Sequence, residues 1–102
     1  MDATLSRFTV PADHPALPGH FPGRPIVPGV LLLDAVLRAV ASLDPRRAAP
    51  TTLLRAKFPA PVAPGAEVEI ALEPRGADCL GFTCRCHGFT VLMGEVGWPT
   101  PP

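Results

Sequence analysis

The 102-residue chain predicts an α+β fold in which one long buried helix is wrapped by an antiparallel β-sheet. Three observations carry that expectation. Residues Val30 to Leu43 are apolar apart from Asp34, Arg38 and Ser42, so a helix there has little polar surface to offer water. Residues Glu67 to Glu73 alternate, with Val68, Ile70 and Leu72 on one face and the glutamates on the other, which is the period of a half-buried strand. Leu80, Phe82, Cys84 and Cys86 repeat that period, and His87-Gly88 has the composition of a two-residue hairpin turn leading into a partner strand from Phe89 to Val96.

The other elements follow in chain order. Thr4 to Val10 mixes β-branched and apolar residues and stops at Pro11, which predicts a first strand. Between Pro11 and Pro28 six prolines fall in eighteen residues, a density that excludes helix and continuous sheet. The helix begins after Pro28-Gly29 and ends at Asp44-Pro45; fourteen residues at ~1.5 Å each make it about 21 Å long. Thr52 to Phe58 is a further strand, closed by the turn formers Pro59, Pro61 and Pro64-Gly65. The tail from Trp98 to Pro102 is expected to fray. With 47% hydrophobic residues and no internal repeat or linker, residues 1–102 are expected to form one domain around one core.

Composition narrows the function. Nine basic residues balance nine acidic ones, so the chain lacks the positive field that nucleic-acid backbone binding needs. The N-terminal residues carry no secretory signal pattern, and the apolar run of the helix is too short to cross a bilayer, so a soluble cytoplasmic protein with no membrane partner is expected. Cys79, Cys84 and Cys86 are an odd number of thiols and are read as reduced. Cys84-x-Cys86-His87 resembles a metal motif superficially, but two thiols at i and i+2 of a strand stand about 7 Å apart and no second cluster completes four ligands. No metal is expected.

The segment from Gly19 to Asp34 carries the chemistry. His20 lies among prolines and glycines, which restrict the conformations a loop can visit and so reduce the entropy lost in presenting an imidazole. Gly29 stands at the helix start, where backbone N–H groups lack intrahelical acceptors, the dipole is positive and no side chain blocks approach; it suits an oxyanion. Asp34 sits within an apolar helix, and burial there would favour the protonated acid. A base, an oxyanion donor and an acid are the requirements of β-elimination next to a carbonyl. His14 lacks the same context and is read as structural; His87 is read as an exposed turn residue.

At this point the residues resemble a family. His20-Phe21-Pro22-Gly23, then Pro25, Pro28-Gly29-Val30 and an acid at Asp34, fourteen positions after His20, resemble the signature of the hot-dog-fold 3-hydroxyacyl-[acyl-carrier-protein] dehydratases of the FabA and FabZ type. The resemblance implies that His20 and Asp34 are catalytic, that Gly29 supplies the oxyanion amide, and that no metal or organic cofactor is needed, the substrate riding on the phosphopantetheine of acyl carrier protein. It implies dehydration to a trans-2-enoyl product in fatty-acid, polyketide or polyene pigment synthesis. It also implies a homodimer, or a higher oligomer of dimers, in which each site takes His20 from one subunit and Asp34 from the other. Arg24, Arg46, Arg47 and Lys57 are then candidates for steering an acidic carrier protein.

One position departs from the pattern: where better-known members carry glutamine four residues after the acid, this chain has Arg38. An i,i+4 pair with Arg38 would oppose proton donation by Asp34. Either Arg38 turns towards a dimer partner or solvent, or Asp34 acts as a charged residue that positions water or substrate while His20 handles both proton transfers. A hot-dog thioesterase or hydratase, and a catalytically silent hot-dog subunit, are the alternative readings.

Overall fold

The computed structural model describes residues 4–13, 26–43 and 52–98. His14, His20, Arg24, Arg46 and Arg47 lie outside the described residues. Five strands and one helix follow in the order β1 (Thr4–Thr9), α1 (Gly29–Leu43), β2 (Thr52–Lys57), β3 (Glu67–Pro74), β4 (Cys79–Cys86) and β5 (Phe89–Gly97). All strand pairs are antiparallel, in the spatial order β1-β3-β4-β5-β2. The two strands that flank the helix in sequence therefore sit on opposite edges of the sheet. The chain must cross the sheet between them, and α1 lies in that crossing.

The β4–β5 hairpin turns as its composition predicts. His87 and Gly88 both have positive φ, 51° and 82°, the combination whose twist matches the flanking strands. Val68, Ile70 and Leu72 of β3 are buried, as are Leu80, Phe82, Cys84 and Cys86 of β4. Against this face α1 sets Leu32, Val36 and Val40, spaced at i, i+4 and i+8 on one side of the helix. Each such side chain gains about 1.5–3 kcal/mol by leaving water. The three cysteines are free thiols.

Two expectations need correction. The helix is buried along one face only: Leu31 and Leu33 are partly covered, and Val30 and Leu37 are 68% and 39% exposed. A single sheet can cover only one side of a helix, so an apolar sequence on every side does not produce all-round burial within one chain. Trp98 is not frayed either; its N–H donates to the Asp78 carbonyl at 3.0 Å and its side chain packs against the core. Pro99 to Pro102 lie outside the described residues. None of the described helices is long and apolar enough to cross a membrane.

Candidate active site

Gly29 is the first residue of α1, so its N–H has no intrahelical acceptor. The approach to it is built by two irregular segments. Val27 N–H donates to the Val62 carbonyl at 2.8 Å, which pins the run before the helix to the proline-rich run after β2, and Leu31 N–H donates to the Pro28 carbonyl at 3.0 Å, which closes the first turn of the helix. Between them opens a cleft of about 320 Å³, with Ile26, Leu32, Phe58, Ala60 and Val62 around Gly29. Its walls are apolar, and a helix N-terminus enters it. Sequence reasoning read Pro59 and Pro61 as turn formers and missed Phe58 as a wall; the signal available was an aromatic residue directly before a proline at a strand end.

Asp34 does not line this cleft. It stands five positions on from Gly29, which is about 7.5 Å along the axis and roughly 140° around it. Its side chain is 54% exposed and its Oδ2 lies 2.9 Å from Nε of Arg38, one turn further on. The burial expected to favour a protonated acid is therefore missing within one chain, because Asp34 falls on the face that the sheet leaves open. An exposed i,i+4 pair of this kind contributes only ~0.3–0.5 kcal/mol. Its effect is on orientation.

Other predicted residues fall apart spatially. Lys57 is exposed at the end of β2, immediately before Phe58. Cys84 and Cys86 point into the core while His87 is exposed at the turn, so the three do not converge. Burial pushes the Cys84 thiol up to about 12.

A sequence profile of the ApeI-like dehydratases, described as ApeI dehydratase, matches residues 1–94. The chain belongs to this dehydratase family. Among curated relatives, a 3-hydroxyacyl-[acyl-carrier-protein] dehydratase FabZ of Allorhizobium ampelinum is 35% identical over 94% of this chain and 70% of its own length. Another FabZ, from an Anaeromyxobacter species, is 38% identical over 86% of this chain and 61% of its own length. The chain thus spans roughly 60 to 70% of the curated relatives it matches first. Among solved structures, the dehydratase heterocomplex ApeI:P from Xenorhabdus doucetiae superposes with a TM-score of 0.81 at 21% identity, covering 94% of this chain and 86% of that one. The (R)-hydratase from A. caviae involved in PHA biosynthesis superposes at 0.71 with 20% identity, covering 97% of both chains. The hot-dog fold of the family, one helix on a five-stranded antiparallel sheet, is the fold found here.

Proposed function

We propose that this dehydratase-family chain removes water from 3-hydroxyacyl groups carried on acyl carrier protein, giving the trans-2-enoyl thioester, in fatty-acid, polyketide or polyene pigment synthesis in the cytoplasm. The observation that carries the reading is the helix N-terminus at Gly29 opening on an apolar cleft, in a chain whose His20 and Asp34 keep the dehydratase spacing. In this reading His20 takes the proton next to the thioester carbonyl, the Gly29 N–H holds the developing enolate oxygen, and the hydroxyl at C3 departs near Asp34. The elimination calls for no metal and no organic cofactor.

The site is proposed to be completed by a second copy of the chain. Asp34 shares an open helix face with Val30 and Leu37, while β2 is an edge strand with Leu53 and Leu54 51% and 54% exposed. Unpaired strand edges and exposed apolar side chains of this kind favour pairing with another chain. A homodimer, or an oligomer of such dimers, would cover both and bring His20 of one copy towards Asp34 of the other. Lys57, next to Phe58, then stands near the cleft mouth as a steering charge for an acidic carrier protein.

Incubation with 3-hydroxyacyl carrier proteins of several acyl lengths, read by intact mass, tests the reaction. Loss of one water, abolished by His20→Ala, is the expected result. Release of free acid would make the chain a thioesterase, and no turnover at any length would make it a silent subunit.

A further inference from the structure

Phe58 directly precedes Pro59, and the chain is held on both sides of it. A residue ahead of a proline is confined to extended backbone. Before Phe58, Lys57 pairs with Met93 in the β2–β5 ladder; after it, the Val62 carbonyl accepts from Val27 N–H, and Pro59 and Pro61 fix φ between the two anchors. The ring can therefore leave its place only by turning about its own side-chain bonds. That place is beside Gly29, where a methyl group would stand 2.8 Å from Cε1, 2.9 Å from Cζ and 3.5 Å from Cδ1 of the ring. The far end of the ring thus borders the helix start. An oxygen held by the Gly29 N–H has it as a neighbour, and the carbon bonded to that oxygen is carried in beside it. In a thioester that carbon bears two further groups. One is the sulfur of the carrier arm, the same in every substrate; the other is C2, which varies.

We infer that Phe58 is a specificity-determining residue, whose ring leaves room at the Gly29 amide for an acyl group unbranched at C2 and not for one with a methyl branch there. The inference rests on the dehydratase reading above and names which of its substrates the cleft accepts. The other walls add no slack: Ile26, Leu32 and Val62 are branched apolar side chains around a cleft of about 320 Å³. Leucine ends at Cδ and so lacks Cε1 and Cζ, the two ring atoms nearest position 29. Phe58→Leu therefore removes the obstructing end of the side chain and keeps an apolar wall.

The test compares kcat/KM for the unbranched 3-hydroxyacyl carrier protein turned over fastest with that for both C2 epimers of its 2-methyl analogue, each of which retains one hydrogen at C2. Wild type, Phe58→Leu and Phe58→Met are measured beside Phe89→Leu, an exposed aromatic at the β4–β5 turn, with melting temperatures to show that each is folded. Wild type is expected to favour the unbranched substrate over the better 2-methyl epimer by roughly 10–200-fold, the range set by one extra carbon in an apolar pocket. Phe58→Leu and Phe58→Met are expected to cut that preference about tenfold by raising turnover of the branched substrate, and Phe89→Leu to leave it unchanged. Equal turnover of branched and unbranched substrates by wild type overturns the inference, whether or not the variants fold. A preference that persists in folded Phe58→Leu and Phe58→Met overturns the assignment to Phe58. No loss of water from unbranched substrates of any length overturns the dehydratase reading, and this inference with it.

Discussion

The ring of Phe58 lies against the Cα of Gly29: a Cβ added at position 29 would stand 2.8 Å from Cε1 and 2.9 Å from Cζ of that ring. The helix start and the end of β2 are thus fitted to each other with no room for one methyl group. Gly29→Ala must push the ring, which is the free end of a side chain 47% exposed, into or away from the cleft. A stability loss of about 1–3 kcal/mol is expected in urea denaturation, the usual cost of overpacking. Gly29→Ala with Phe58→Leu should recover stability, giving a coupling of at least ~0.5 kcal/mol in a double-mutant cycle. Additive effects would show that the two positions do not touch.

Two other glycines separate a hard clash from a soft one. A Cβ at Gly94 would collide with the backbone carbonyl of Arg55 and stand 2.7 Å from Cζ of Phe82, whereas at Gly81 its nearest neighbours would be atoms of the Arg75 side chain. Backbone on a paired strand cannot step aside, but a half-exposed arginine can. Gly94→Ala is expected to cost more than about 3 kcal/mol or to prevent folding, and Gly81→Ala about 1 kcal/mol. Equal melting temperatures for the two variants would contradict this.

Glu95 ties three elements together. It accepts from Cys79 Sγ at 3.5 Å, from Arg75 Nη1 at 2.8 Å and from Arg55 Nη2. The bond from Cys79, joined by those from Arg55 and Arg75, outweighs desolvation and holds the carboxyl below its ordinary value of 4.5. A carboxyl lowered on folding stabilises the native state fully above its unfolded value, and that contribution is lost as pH falls through the lowered one. Melting temperature should therefore drop below pH 4.5 more steeply in wild type than in Glu95→Gln. Parallel curves would remove Glu95 as the cause.

The buried thiol acts at the other end of the scale. Cys84 is raised by burial from 9.0 to about 12, so its contribution to stability is complete below pH 9 and is lost as pH rises towards 12. Cys84→Ala should flatten the alkaline fall in melting temperature. In the native protein at neutral pH, alkylating reagents should label Cys84 far more slowly than in urea; equal rates would mean that β4 opens readily.

His87 adopts a left-handed backbone, φ 51°, that a side chain with a Cβ enters reluctantly. Asparagine is the preferred residue before glycine in such a turn. Replacing His87 by Asn is expected to raise stability by about 0.5 kcal/mol without changing the register of β4 against β5, readable by denaturation and amide exchange.

Much of the fold was legible because its signals are local. Alternation in β3 and β4 needs only the two-residue period of a strand, and His87-Gly88 needs only the φ preferences of two residues. The dehydratase signature from His20 to Asp34 is equally local, being a spacing along the chain. Trp98 was misread for the converse reason: prolines on its far side look like a tail, and only the Asp78 carbonyl across the β4–β5 ladder shows that it is anchored.

By itself the sequence determined which segments are strands and helix, which faces of the strands are apolar, and the family whose spacing His20, Gly29 and Asp34 keep. The tertiary structure alone decided three things: that β1 and β2 lie on opposite edges, that Phe58 closes on Gly29, and that Asp34 faces outward bonded to Arg38. Each depends on contact between residues far apart in sequence, or on which side of an apolar helix a single sheet can reach. A pattern that is apolar all round carries no direction. The sheet supplies one, and in doing so leaves the carboxylate on the side that the sheet does not cover.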